Sequence, residues 1–366
     1  MKEKTMSTRI MIAVIVAALN LAVIEAHASQ VQINAKVLFL VDSLGRKVAV
    51  SPNIDRIACM YAFTGHVVAM LGKANDIVAV SNGLKRDVML TTMYPGIRKA
   101  LVPKFQGATN IEELARTKPD IVFVDAQTGR NEAEASKLDA CGLTWLAVDF
   151  HCMEEQKQAI ALIGQAIDVP EKAAAYNNYY RECIDRVGRA VAKIPLKKRI
   201  RVYHATVEPT RTSPKNSLPA DWMRAAGLID VAAHGPSRLL DGMNQVGIEQ
   251  ILLWNPEVIL ANEPGVAAFI KESPKWSAIA AVKTGRVYQL PIGLSRWGHP
   301  GSLETPLAIL WAVKTVYPER AGDIDMQKEI RKFYKTFFNY ELSDDMVQQI
   351  LSGKGMRLTK DRKKRQ

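Results

Sequence analysis

Cysteine is scarce in this chain: only 4 of its 366 residues, Cys59, Cys141, Cys152 and Cys183, each standing alone. With no C-x-x-C pair, a zinc ribbon or a thioredoxin-type redox site is excluded. The sequence also lacks H-E-x-x-H, G-x-S-x-G, a Walker A loop and G-x-G-x-x-G, so it carries none of the common hydrolase, nucleotide or dinucleotide signatures. Beyond residue 24 no apolar run is long enough to cross a bilayer. Cys141 and Cys152 flank one predicted strand at its opposite ends, too far apart to bridge. Cys59 and Cys152 both fall near strand ends and could be neighbours, but no obligatory disulfide is expected.

What is present begins at the N-terminus. Lys2, Lys4 and Arg9 precede an apolar stretch over 10–24, and Ala26-His27-Ala28 supplies a small-residue cleavage pattern. This reads as a signal peptide over 1–28. No cysteine follows it, so a lipid anchor there is not expected and the mature chain should be periplasmic. The net charge is +12, but from Lys354 onward seven basic residues face only Asp361 and carry +6 of it. The segment before Ser29 carries +1, which leaves the body at +5. Such a tail reads as a solvated terminus, not a nucleic-acid arm or an adhesive scaffold.

Between these ends, short apolar strands alternate with helical segments. Strands are predicted over 37–41 and 47–50 (a hairpin), then 56–60, 77–81, 121–125 and 144–150. Helices fall between them, including 111–117 and 133–140. A long helical stretch follows over 154–192, broken at 168–171 by Val169-Pro170. The strand–helix pattern then restarts, with strands at 199–204, 258–261 and 286–291 and closing helices at 303–317 and 323–339. The fold class expected is α/β: two Rossmann-like lobes with parallel sheets, joined by a long backbone helix, with a ligand cleft between them. The boundaries are 29–153 for the N-terminal lobe, 154–194 for the linking helices, 195–345 for the C-terminal lobe and 346–366 for a disordered basic tail.

One local theme occurs twice. "NIEELARTKPDIVFVD" and "GIEQILLWNPEVILA" each run from a helix through a proline and an acid into a buried strand. Together with Val41-Asp42-Ser43-Leu44-Gly45-Arg46-Lys47-Val48, Arg56-Ile57-Ala58 and "WSAIAAVKTGRVYQLP", these stretches resemble the helical-backbone class of ABC-importer binding proteins, the group that carries cobalamin, haem and ferric siderophores. The likeness runs from about residue 37 to about residue 320. It implies a monomeric, non-enzymatic solute-binding protein with no resident cofactor, which delivers a metal chelate to a permease dimer and docks through both lobes. Glu112 or Glu113 and Asp221 are candidate docking acids by the same resemblance.

In open parallel sheets the loops beyond the strand C-termini build the site. Those loops offer Tyr61, Arg86 beside Lys85, Gln127, His151 and His204, and a dense segment containing Arg296, Trp297 and His299. Tyr94 lies in a long insertion and is expected in a lid. Arg296 supplies a fork for an oxyanion, Trp297 a flat face for a macrocycle, and Gly298 and Gly301 close backbone approach. His151, His204 and His299 follow strand ends in different lobes and could share a metal ion. Two alternatives stay open. One is a small ligand, either an oxyanion such as molybdate or an ion such as nickel. The other is a metal-dependent enzyme, with those three histidines holding the ion and Glu263 as base.

Overall fold

The computed structural model describes residues 37–105, 108–233, 235, 238–240 and 243–355. The signal-peptide segment and the last eleven residues lie outside them. The hairpin pairs β1 (Leu38–Val41) with β2 (Lys47–Val50). Asp42 shapes its turn: Oδ1 accepts the amides of Leu44 and Arg46, while Oδ2 accepts the Ala147 amide and docks the turn on the first lobe. The Arg46 guanidinium lies over the Trp145 ring, a cation–π contact that closes the same joint.

β3 (Ile57–Cys59) and β4 (Ile77–Val80) come next, then a small hairpin of β5 (Lys104–Phe105) and β6 (Ala108–Thr109), then β7 (Ile121–Asp125) and β8 (Trp145–Val148). β3, β7 and β8 are almost wholly buried, as central parallel strands covered on both faces must be. In the second half β9 (Arg201–Ala205) leads to β10 (Arg211–Thr212), β11 (Ile229–Asp230), β12 (Arg238–Leu240), β13 (Met243–Gln245), β14 (Val258–Ala261) and β15 (Val287–Gln289). The two main sheets run β4-β3-β7-β8 and β11-β9-β14-β15, with every neighbour parallel. Ranked along the chain within each lobe, both orders are second-first-third-fourth. Each sheet therefore reverses direction of growth beside its first strand, between β3 and β7 and between β9 and β14. That switch point is where a crevice opens at the carboxyl ends.

Between the lobes run helices Met153–Ala166 and Pro170–Val191. Asp168, at φ 56°, turns the chain between them, and Pro170 starts the second helix at its first turn, where a missing N–H costs nothing. Tyr176, Tyr180, Cys183, Val187 and Val191 form its buried stripe, at the spacing of one helix face. The inner faces of both sheets, this spine and the closing helices Thr305–Val316 and Met326–Phe338 share one continuous apolar core. Smaller cores cover the outer face of each sheet.

Three expectations need correction. The insertion at 89–103 is not a lid: it folds into helix Val88–Met93 and a 3-10 turn, and Leu101 exchanges backbone hydrogen bonds with β4 through Val78 and Val80. Tyr94 goes with it, donating its hydroxyl to the Phe338 carbonyl at 3.3 Å. The C-terminal tail does not start at 346. Asp344–Leu351 is a helix capped by Ser343, with Val347 and Ile350 buried, and the Ile350 carbonyl accepts the Ile292 amide.

Candidate functional site

The ends of the switch-point strands carry Tyr61 and Asp125 in the first lobe, and Thr206, Asn262 and Glu263 in the second. Tyr61 follows β3, where the Met60 amide is held by the Phe123 carbonyl of β7. Its ring packs with Phe63 and Phe150, at centroid distances of 5.9 and 6.4 Å. Burial first, and then the carboxylates of Asp125 and Asp149, push the Tyr61 phenol well above its ordinary pKa. It therefore stays protonated and can donate throughout the physiological range. Ser81 follows β4, with its amide held by the Cys59 carbonyl of β3 and its Oγ buried without a hydrogen-bond partner.

The second lobe contributes the loop over 293–302. Its backbone is fastened on several sides. Asn262 Nδ2 donates to the Trp297 carbonyl at 2.8 Å, and Trp222 Nε1 donates to the Gly298 carbonyl at 3.1 Å. Gly298 has φ +70°, and a Cβ there would sit 2.6 Å from the Trp222 ring, so only glycine fits. Arg296 forms an ion pair with Glu263, both at the mouth of the cleft. His299 Nδ1 accepts the Gly301 amide at 3.1 Å. A Cβ on Gly301 would lie 3.2 Å from Tyr61 Oη and 3.8 Å from His299 Nδ1. The two lobes thus meet at Tyr61 on one side and the His299–Gly301 backbone on the other.

The remaining candidates do not join this group as expected. His204 is fully buried inside β9, with its ring against Trp222 at 6.0 Å and Nδ1 3.5 Å from Ser213 Oγ. Trp297 is also fully buried and presents no face to a guest. His151 is exposed and pairs with Glu155 at 3.4 Å. It lines a separate hollow of about 350 Å³ on the first lobe, with Val41, Ser43, Arg130, Asp149 and Glu155. The expected metal site of His151, His204 and His299 therefore does not form. Among the described residues no three His, Cys, Asp or Glu side chains converge to hold an ion. Arg86 is exposed and donates to the Asn82 carbonyl, and Gln127 is exposed on the helix after β7. Asp221, a docking candidate, accepts the Met153 amide at 2.9 Å and ties the spine to the second lobe.

Burial lowers the His204 pKa from 6.5 to about 4. The folded state thus refuses a proton that the unfolded chain accepts below pH 6.5. Stability should fall as the pH drops from 6.5 towards 4, by at most about 3 kcal/mol from this residue. His204→Asn should flatten that slope by about 2 kcal/mol at pH 5. Urea melts of both proteins at pH 7 and pH 5 check it, and parallel slopes would remove His204 as the cause.

Residues 57–292 match the periplasmic binding protein family. The chain belongs to that family. It is 27% identical over 337 residues to the molybdate-binding protein MolA of Haemophilus influenzae, covering 84% of this chain and 92% of that one. A solved periplasmic solute-binding protein from Veillonella parvula superposes with a TM-score of 0.74 at 25% identity, over 86% of this chain and 97% of the other. The molybdate-bound MolA structure gives 0.73 at 23% identity, over 84% and 99%, and speaks for the fold. The chain is accordingly a solute-binding protein of an ABC transporter with the two-lobed fold of its class. For this binding protein, sequence reasoning passed over Ser81 and Glu304. The available signal for Glu304 was an acid set into the apolar run that opens the helix after His299-Pro300-Gly301.

Proposed function

We propose that this binding protein captures a small tetrahedral oxyanion, molybdate or a close analogue, and hands it to an ABC permease. One observation carries the reading: the phenol of Tyr61 reaches the backbone of Gly301 across the lobes. An approach that close leaves no room for a macrocycle between these two points, which favours a small ligand. Donors of the right kind lie on the segments that follow the strands of both lobes: the protonated Tyr61 hydroxyl, the Ser81 hydroxyl and the Arg296 fork. The burial of Trp297 takes away the flat surface that made a metal chelate attractive. The name of the Haemophilus relative points the same way. In this reading the leader over 1–28 is removed on export to the periplasm. The mature monomer then docks on a permease dimer through both lobes.

Calorimetric titration tests the choice, with molybdate, tungstate and sulfate set against cobalamin, haem and a ferric siderophore. Saturable binding of the oxyanions is expected, with Tyr61→Phe weakening molybdate about tenfold through the loss of one hydrogen bond to a charged guest. Preference for any of the chelates would overturn the proposal.

A further inference from the structure

We infer that Glu304 and Tyr334 are positioning residues of the ligand site, holding the Arg296–His299 segment from behind through the two amides that precede it. Glu304 stands at the start of helix Thr305–Val316, and Tyr334 lies on Met326–Phe338. Both are fully buried and neither side chain reaches the cleft. Their contacts converge on two consecutive peptide units. Tyr334 Oη donates to Glu304 Oε1 at 2.6 Å and accepts the Leu294 amide at 3.1 Å. Glu304 Oε2 accepts the Ser295 amide at 2.9 Å. Arg296 is the next residue. Ser302 closes the far side of the loop: its Oγ accepts from Ser295 Oγ at 2.9 Å and from the Glu304 amide at 3.2 Å. Gly293 lies flush against the pair, since any side chain there would overlap the Glu304 carboxylate and the Tyr334 hydroxyl.

A buried carboxylate is a poor way to gain stability, because an apolar residue of the same volume does as well or better. It is a good way to impose one conformation, because a fully satisfied polar network tolerates only its own geometry. Both Glu304 carboxylate oxygens have partners. Burial raises the Glu304 pKa, while Tyr334, the Ser295 amide, Trp297 and the more distant His66 favour its charged form. His66 is itself held by Asp87 at 2.8 Å, on the helix that starts just after Tyr61. Tyr176 is the remaining titratable neighbour. The Glu304–Tyr334 pair therefore backs the Arg296–His299 side of the site.

The inference rests on that loop being the ligand site, and two readouts separate the ideas. Tyr334→Phe, Glu304→Gln and Glu304→Ala are made in the full chain. Amide hydrogen exchange over 293–299 is followed without ligand, and molybdate affinity by calorimetry. Tyr334→Phe should speed exchange at Leu294 and Ser295 about tenfold and weaken molybdate by a similar factor. Glu304→Ala should do more, and Glu304→Gln, which keeps a carbonyl acceptor, should recover part of the loss. If Glu304→Ala does not fold, Tyr334→Phe carries the test alone. Faster loop exchange in a protein whose wild type ignores molybdate would support the positioning role and count against the oxyanion. Unchanged loop exchange in Tyr334→Phe would overturn the inference.

Discussion

Trp222→Ala should lower the stability of the protein by about 4 kcal/mol, a large share of the 5–15 kcal/mol typical of a domain. The indole is completely buried on helix Leu218–Ala225. Three losses combine when it goes. The ring leaves a cavity that the sheet and spine cannot collapse to fill. Its N–H no longer satisfies the Gly298 carbonyl. The His204 ring loses the edge it packs against. Trp222→Phe keeps most of the volume but not the donor, and should cost about 1–2 kcal/mol. Denaturant melts at pH 7 give both numbers. A loss below about 1 kcal/mol for the alanine variant would mean that the helix does not support the loop as described.

Arg296→Ala should weaken molybdate by about thirtyfold, whereas Glu263→Gln should strengthen it several-fold. Removal of a charge-assisted hydrogen bond accounts for the first effect, at about 2 kcal/mol. The Glu263 carboxylate left behind adds repulsion. In the second variant the guanidinium is no longer paired with the Glu263 carboxylate, and that negative charge is gone. The opposed signs make the pair informative, since a purely structural ion pair would make both variants worse. Repeating the titrations at high salt should shrink the Glu263 effect most, because that side chain is the more exposed of the two.

The parts of the fold that were legible from sequence are those encoded within a few residues. Ile121–Asp125 and Val258–Ala261 are apolar runs too short for helices, each entered through a proline and an acid, and both became central strands. The helix break at 168–171 was equally local. Side-chain direction at strand ends was not. His204 was placed at the rim, but it lies within β9, one residue before its end, and faces inward. A central parallel strand is covered on both faces, so a residue still inside it is core and only one beyond its end can reach the cleft. The small sheet of β10, β12 and β13 escaped notice because segments such as Arg211–Thr212 and Met243–Gln245 are too short and polar to show a period. Asp344–Leu351 did carry an amphipathic pattern and a serine cap, but the run of lysines and arginines just beyond it suggested a loose end. The approach of Tyr61 to Gly301 depends on how two separately built lobes sit on one spine, and no short-range pattern contains that.

The single apolar core that threads both sheets and the spine makes this molecule a bracket more than a hinge. Swinging one lobe away as a rigid body would peel oil-like surface off the spine over its whole length, a far heavier toll than binding a small solute returns. Traffic into and out of the site must then depend on side chains and loops at the rim.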